Sequence, residues 1–525
     1  MVPLLLVWLA AVTVARAAAP CPPLPPAAGA VAYVANVSEL VSAVNNAVPG
    51  LSILLADGIY PLNGEYLRID VPDLTLRSAG GNREAVILDG NYQTTEIIQI
   101  TASRVTVADL TLRKAYYHPI HVMSTDQGDT FQTLVYNVHI VDPGEQAIKI
   151  NPYTGTGALF FPDHGTIACS HIELTAGGRQ QVRNNCYTGG IDAHQARGWV
   201  VRDNRIEGFW CPEGLSEHAV HFWKASRDTL IERNYLIDNA RGIGLGLLAE
   251  GSARVYPDQP CPTAGGGYLD HYGGLVRNNF VFAGNAGLFA SAYGFDCGLC
   301  LWQACEAKAL HNTVASTQPP FSSIEWRFER SRVELINNLT THNLMDRGGT
   351  AYLSGNLTGQ PLALFVNGPT GDLHLAATAS AALDQVAAPP EVTDDFDGDR
   401  RPAGLQTDVG ADEFRFLEVI PLRRQIPSGG TAIFQIAVTT LPGYGGSISL
   451  QASSPSTDLL LDLQPNSVTP PGQAALTVTD LFPGPALSGR LYQIPVTALV
   501  SGFSQTVPAS LLIGGTVLHL PVVLR

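Results

Sequence analysis

The chain has 525 residues, 45% of them hydrophobic and 15% charged, enough for a large core and too long for one ordinary globular unit. With 52 glycines and 36 prolines against 3 methionines, it suits many short strands and turns better than long helices. Its formal net charge of −15, nearly all carried before residue 415, argues against a nucleic-acid partner and gives no long-range pull on an acidic polymer.

The apolar run Leu4–Val12 is too short to span a bilayer, and Ala15-Arg16-Ala17 fits a small-x-small cleavage site. A signal peptide over 1–19 is therefore expected, with the mature chain secreted or on the cell surface. No later stretch approaches a membrane span. Pro20 before Cys21 argues against lipid attachment, and 20–30 reads as a linker. In an exported chain the 8 cysteines default to disulfides. Cys169 and Cys186 flank one long insertion, and Cys211 and Cys261 could staple the next two. Among Cys297, Cys300 and Cys305 one disulfide plus one free thiol is expected. A zinc site there lacks a second CxxC pair, so no metal site is predicted.

From 31 to 414 short β-branched runs such as Leu51–Leu55, Leu74-Thr75-Leu76 and Val105-Thr106-Val107 alternate with Gly, Asn and Asp. A short helix near Val37 to Ala47 could cap an open first rung. Trp199–Ile206 registers with Thr229–Leu236 at an offset of 30, aligning Asn204 with Asn234. The Asn recurs at Asn137, Asn279, Asn312 and Asn338. Such a repeat signals a solenoid in which stacked amides satisfy one another at a bend.

With its recurring bend Asn, this segment resembles the right-handed parallel β-helix proteins of the pectin-lyase-like superfamily. Its end, Asp395–Pro402 followed by Asp408–Phe414, is similar to a closing motif of secreted bacterial members. The resemblance implies an all-β solenoid and a carbohydrate-active protein; it does not fix the reaction, because that fold hosts lyases, hydrolases, epimerases and non-enzymes. Calcium is possible as cofactor, but Arg400 and Gln406 spoil an EF-type loop in the acidic run, which reads better as a hydrogen-bonded turn. Beyond 414 the alternation in Ser428–Val438, Ala475–Val478 and Tyr492–Ala498 predicts a small Ig-like β-sandwich over 415–515. A tail over 516–525 could be a last strand or an export signal.

Strand alternation locates the candidate site. In Ile120-His121-Val122, Ile148-Lys149-Ile150, Ile191-Asp192-Ala193-His194 and Val220-His221-Phe222 the apolar residues point inward. That sets His121, Lys149, Asp192, His194 and His221 on one outer face, on rungs about 4.8 Å apart. Registering from the Asn bend with no gap aligns His221 with inward Ile191, so His221 turns outward only if its coil carries one extra residue. The next strands, read as Ile243–Gly246 and Leu288–Ser291, lack charge. Insertions carrying Asp163, His164, Arg179, Arg183, Glu213, Glu217, His218 and Tyr268–Tyr272 leave from the same turns, with Trp223 and Lys224 beside them, and long loops on one side of a solenoid build its binding face. Trp210, Trp223, Tyr187 and Tyr272 could stack on sugar rings.

Elimination at a uronic acid needs a base for the C5 proton, a cation for the carboxylate and an acid for the leaving oxygen. Lys149, His194 and His221 could supply these, with Asp192 orienting a His or, with Glu217, holding calcium. His121, Asp163, His164, Arg183, His218, Trp223 and Lys224 are expected to contact substrate. The expected function is therefore a lyase-like action of a monomer on a uronic-acid polysaccharide. The alternatives are a non-catalytic glycan-binding or adhesive surface protein, and a hydrolase or epimerase. A hydrolase would want two carboxylates across the bond, and no close Asp pair stands on the strands.

Overall fold

The computed structural model describes residues 21–155, 158–258, 260–262, 265–403, 406–439, 444–482, 489–500 and 503–514. The expected signal peptide and C-terminal tail lie outside these residues. Among the described residues no helix is long and apolar enough to cross a membrane.

The body is a parallel β-helix. Three parallel sheets of 14, 10 and 10 strands share one winding order, so each coil contributes one strand to each sheet. Thr106–Ala108, Thr111–Arg113 and His118–Met123 form one coil, and Leu134–Tyr136, His139–Val141 and Gln146–Asn151 the next. The inward side chains stack in rows. On the third sheet Ile98, Ile120, Ile148, Ile191, Val220, Ile243, Leu299 and Ile324 lie in register, all fully buried. Such rows keep apolar surface from water along the whole axis, worth roughly 1.5–3 kcal/mol per side chain. The helix Val37–Asn45, capped by Asn36 accepting from the Glu39 amide, buries Leu40 and Val44 against the first coils.

Between the first and second sheets each coil turns at one residue in the left-handed region. Asp109, Asn137, Cys169, Asp203, Arg233, Asn278, His311 and Asn337 take φ between 49° and 58°. The next residue carries the ladder. Asn234 Nδ2 donates to Val201 O and to Asn279 Oδ1, both at 2.9 Å, while its Oδ1 accepts from the Asn204 amide and side chain. The chain of amides runs Asn204, Asn234, Asn279, Asn312, Asn338, Asn356. Asn137 is not part of it. It occupies the bend and donates to Asp109, and the ladder position in its coil is Val138, whose amide is taken by Ser170 Oγ.

Several expectations change. The disulfides are Cys21–Cys169, Cys186–Cys211, Cys261–Cys305 and Cys297–Cys300, with no free thiol among the described residues. Four disulfides fit an oxidising compartment. The segment read as a linker is strapped along the helix, since Tyr136 donates to Pro22 O and Arg77 to Pro25 O beside the Cys21 bridge. Leu288–Ser291 is no strand: Asn285 accepts from the amides of Gly287 and Leu288 and starts the helical turn Ala286–Phe289, and the coil's strand is Cys297–Trp302.

Residues 355–403 and 406–414 pack alongside the second sheet rather than over the end. Leu364, Phe365, Leu373 and Leu375 share a core with Ile237, Phe280 and Phe282. In the acidic run Asp395 accepts from the amides of Asp397, Asp399 and Glu413, and Asp408 from those of Asp384 and Phe414, so these carboxylates close turns. Beyond lie a four-stranded sheet and a five-stranded sheet with mostly antiparallel pairing and one shared apolar core, which includes Phe434, Ile436, Leu476, Val478, Ile494 and Val496.

Candidate functional site

The third sheet carries a polar column on its outer face. Gln99, His121, Lys149, Asp192, His221 and Gly244 pair in that order across successive coils. Asp192 opposes His221, so the coil of His221 carries the extra residue that turns its ring outward. Alternation sets a second column two residues on, where Met123 pairs with Asn151 and His194 with Trp223. Four long connections, 152–165, 174–188, 208–219 and 246–270, enter or leave this sheet.

The side chains do not stand free in an open groove, as the alternation suggested. Lys149 is 6% exposed, Asp192 1%, His194 8% and His221 0%. Loop residues and neighbouring rings cover them. Lys149 Nζ makes a buried ion pair with Asp192, donates to Tyr187 OH at 3.0 Å and lies 3.4 Å from His194 Nε2. Trp223 Nε1 donates to Asp192 Oδ1 at 2.8 Å, and its ring meets His194 edge-on and stacks on His221. Asn151 links His194 Nδ1 at 3.2 Å to His121 Nε2 at 3.0 Å, and His121 Nδ1 meets Glu96 Oε1 at 2.8 Å. A continuous hydrogen-bonded band therefore runs from Glu96 to Trp223. Its accessible rim is made by the half-buried His121, Asn151, Tyr187 and Trp223.

Electrostatics divide the roles. Burial alone would push the Asp192 carboxyl up, but Lys149 and the hydrogen bond from His194 hold it well below the usual carboxylate range. Burial works against the Lys149 ammonium, yet Asp192 and Tyr187 raise it above its ordinary value, so it stays a cation. Burial lowers His194 and outweighs the pull of Asp192, leaving a neutral ring at pH 7. Burial raises the Tyr187 phenol, which stays protonated. His118, beside His121, is pushed down to about 4 by burial.

The remaining candidates divide. His218 is fully buried against His221, with ring centroids 4.2 Å apart. Lys224 sits at a bend with φ 54° and lays its ammonium 4.8 Å from the Trp223 ring centre. Arg183 stacks on Tyr116 at 4.2 Å. Asp163 is not gathered in: it pairs with Arg254 in a different sheet. His164 is an exposed bend residue with φ 59°. Trp210 is 8% exposed under Arg179 and offers no sugar platform. Sequence reasoning missed Asn151 and Glu96, and saw Tyr187 only as a stacking ring. Asn151 had a signal, since it lies two residues after Lys149 as His194 lies two after Asp192. The charge-free stretch is also shorter than expected, because buried Glu325 opposes Cys300 and binds Trp302 and Arg347.

Calcium takes six to eight oxygen ligands. Around Lys149 the carboxylates include Asp192, already ion-paired and bonded to Trp223, and Glu145, which accepts from Asn184, with Glu217 lying beyond the His221 imidazole. That donor set does not fit calcium.

No family model and no curated protein matches the chain. Among solved structures it is similar to an alginate lyase from Paenibacillus sp. str. FPU-7, with 16% identity over 63% of this chain and 98% of that chain and a TM-score of 0.42. It is similar to a PL6 family polysaccharide lyase from Pseudopedobacter saltans, with 11% identity over 62% and 92% of the two chains and a TM-score of 0.30. It is also similar to a pectate lyase from Bacillus sp. N165, with 12% identity over 64% and 84% and a TM-score of 0.28. Likenesses this distant leave the activity to be argued from the site.

Proposed function

We propose that the protein is an extracellular carbohydrate-active enzyme that cleaves a uronic-acid-containing polysaccharide by β-elimination at the Lys149–His194–Tyr187 cluster. The observation that carries this reading is the meeting of an ammonium, an imidazole and a phenol in one buried group, with Lys149 Nζ 3.0 Å from Tyr187 OH and 3.4 Å from His194 Nε2. Elimination at a uronate needs a cation, a base and an acid brought together in this way. Lys149 neutralises the sugar carboxylate and the charge that grows on it as the C5–H bond breaks. His194 takes the C5 proton on Nδ1, whose lone pair Asn151 Nδ2 gives up, while Nε2 keeps its proton toward Asp192. The C5–H electron pair forms the C4–C5 double bond, the C4–O bond breaks, and the leaving oxygen takes the phenolic proton of Tyr187, whose own oxygen accepts from Lys149. Trp223 and Asn151 hold the imidazole, and the walls of loop exclude water.

Lys149 and His194 hold Asp192 as an ionised carboxylate, so it supplies no protonated acid of the kind a hydrolase needs for its leaving group. A non-catalytic glycan-binding role draws support from the burial of Lys149, which would suit a structural ladder. Incubating the purified protein with a panel of uronate polymers separates the readings. Release of ultraviolet-absorbing unsaturated uronate ends is expected. Binding without new ends of any kind would favour the non-catalytic role, and saturated reducing ends a hydrolase.

A further inference from the structure

Beside the cluster, three side-chain atoms converge with no hydrogen bond to satisfy them. His218 Nδ1 and His221 Nδ1 both face Glu217 Oε2, at 3.9 and 3.3 Å, and one ligand atom from each of the three residues lies within 4.8 Å of the others. Neither Nδ1 atom nor Glu217 Oε2 makes a hydrogen bond, and neither does His218 Nε2. Both histidines are 0% exposed. A buried polar atom left unpaired costs about 1–3 kcal/mol, so a set of them aimed at one point calls for an occupant.

The tautomer of His221 says what kind. Its Nε2 lies 3.3 Å from the carbonyl oxygen of Gly246, which can only accept, so Nε2 carries the proton. Nδ1 then presents a lone pair toward Glu217 Oε2, with Asp192 Oδ1 also 3.6 Å away. A lone pair facing two carboxylates is repelled unless a positive charge lies between, either a second proton on Nδ1 or a metal ion; the unbonded His218 Nδ1 at the same carboxylate oxygen favours the metal ion. The outer N–H bonded to a backbone carbonyl is the usual way a protein orients a metal-binding imidazole. The spacing also suits a small ion. Ligands about 2.0–2.2 Å from a tetrahedral zinc ion stand about 3.3–3.6 Å apart, which the 3.3 Å from His221 to Glu217 matches and the 3.9 Å from His218 exceeds by a few tenths of an ångström. Gly244, opposite His221 on the next coil, leaves room for the His218 ring, which a Cβ there would meet at 2.7 Å.

We propose that Glu217, His218 and His221 form a binding site for a borderline divalent transition ion of the zinc class. Two imidazoles and one carboxylate suit such an ion and are too few oxygens for calcium or magnesium. Three protein ligands leave a fourth tetrahedral position for water or a ligand oxygen. The site stands on geometry alone, whether or not the protein cleaves a glycan.

The test uses the full chain, stripped with a chelator and titrated calorimetrically with zinc chloride and separately with calcium chloride. One zinc per chain is expected, with no calcium bound at this site. Glu217 lies at the rim with 19% of its side chain exposed, so Glu217→Gln should fold, verified by circular dichroism, and bind zinc at least about tenfold more weakly. His218 also approaches the sulfurs of Cys297 and Cys300, which are joined in a disulfide. A Cys297→Ser, Cys300→Ser double variant should therefore bind zinc unchanged. Absence of stoichiometric zinc binding by the stripped protein, full affinity in Glu217→Gln, or loss confined to the cysteine variant would each overturn the proposal.

Discussion

Lys149 shows how much one side chain depends on its partner. It is buried in an ion pair whose other member, Asp192, has almost no contact with water. Removing one partner of a buried pair leaves an uncompensated charge and costs roughly 3–5 kcal/mol, whereas neutralising both is often nearly free. Lys149→Met alone should therefore lower the thermal midpoint sharply. Adding Asp192→Asn, which keeps an acceptor for Trp223, should restore it. If Lys149 is the cation of an elimination, the stable double variant should still lose about 10²–10³ in turnover. Calorimetry and the unsaturated-end assay read the two effects separately. Burial is what strand alternation could not reveal. The alternation placed Lys149, Asp192 and His221 on one outer face in the right order, because a parallel register is a matter of counting. It did not show that loops 174–188 and 208–219 fold over that face, since loop paths follow from long-range packing and from the Cys186–Cys211 bridge.

At the scale of the element, the coil depends on a left-handed bend and the Asn that follows it. Each ladder amide serves two coils, so Asn234→Ala should strand the Asn204 amide and the Val201 carbonyl at once. A loss of roughly 1–3 kcal/mol is expected from urea unfolding, and a smaller loss for Asn356→Ala at the half-buried end of the ladder. Equal midpoints for wild type and Asn234→Ala would refute the shared-amide account. This ladder was legible because the strands flanking Asn204 and Asn234 match residue for residue, Val200–Arg202 with Leu230–Glu232 and Arg205–Glu207 with Tyr235–Ile237. Asn137 misled because Asn also tolerates the left-handed bend one residue earlier, and the two uses look alike in sequence. The same local rule hid the helical turn Ala286–Phe289. An apolar run of four residues reads as a strand until the capping bonds of Asn285 are seen.

For the whole molecule, the segment made of 355–403 and 406–414 ties many coils together from the side. Arg233, Arg277 and Lys308, from three successive coils, all reach Asp394 or Glu391. His374 fastens the same segment to itself. Burial opposes its charge, but hydrogen bonds to Asp372 and Asp397 and the nearby Asp412 outweigh that and push it up to about 11. A group raised in the folded state adds stability that is fully present below its ordinary value of 6.5 and disappears as pH climbs through about 11. Thermal midpoints should therefore fall progressively between those limits for the wild type. His374→Gln should start lower and fall less over the same range, and parallel curves would count against the staple.

The Cys21–Cys169 bridge spans 148 residues of chain and ties the first described residue to a bend several coils further on. During synthesis Cys21 appears first and must wait for its partner. The two sulfurs come into reach only when the intervening coils have wound to their final pitch, because each coil advances the bend by one rung. Oxidation of this pair is therefore a clock for the first coils: trapping thiols at intervals and running non-reducing gels would time their winding without any probe of the core.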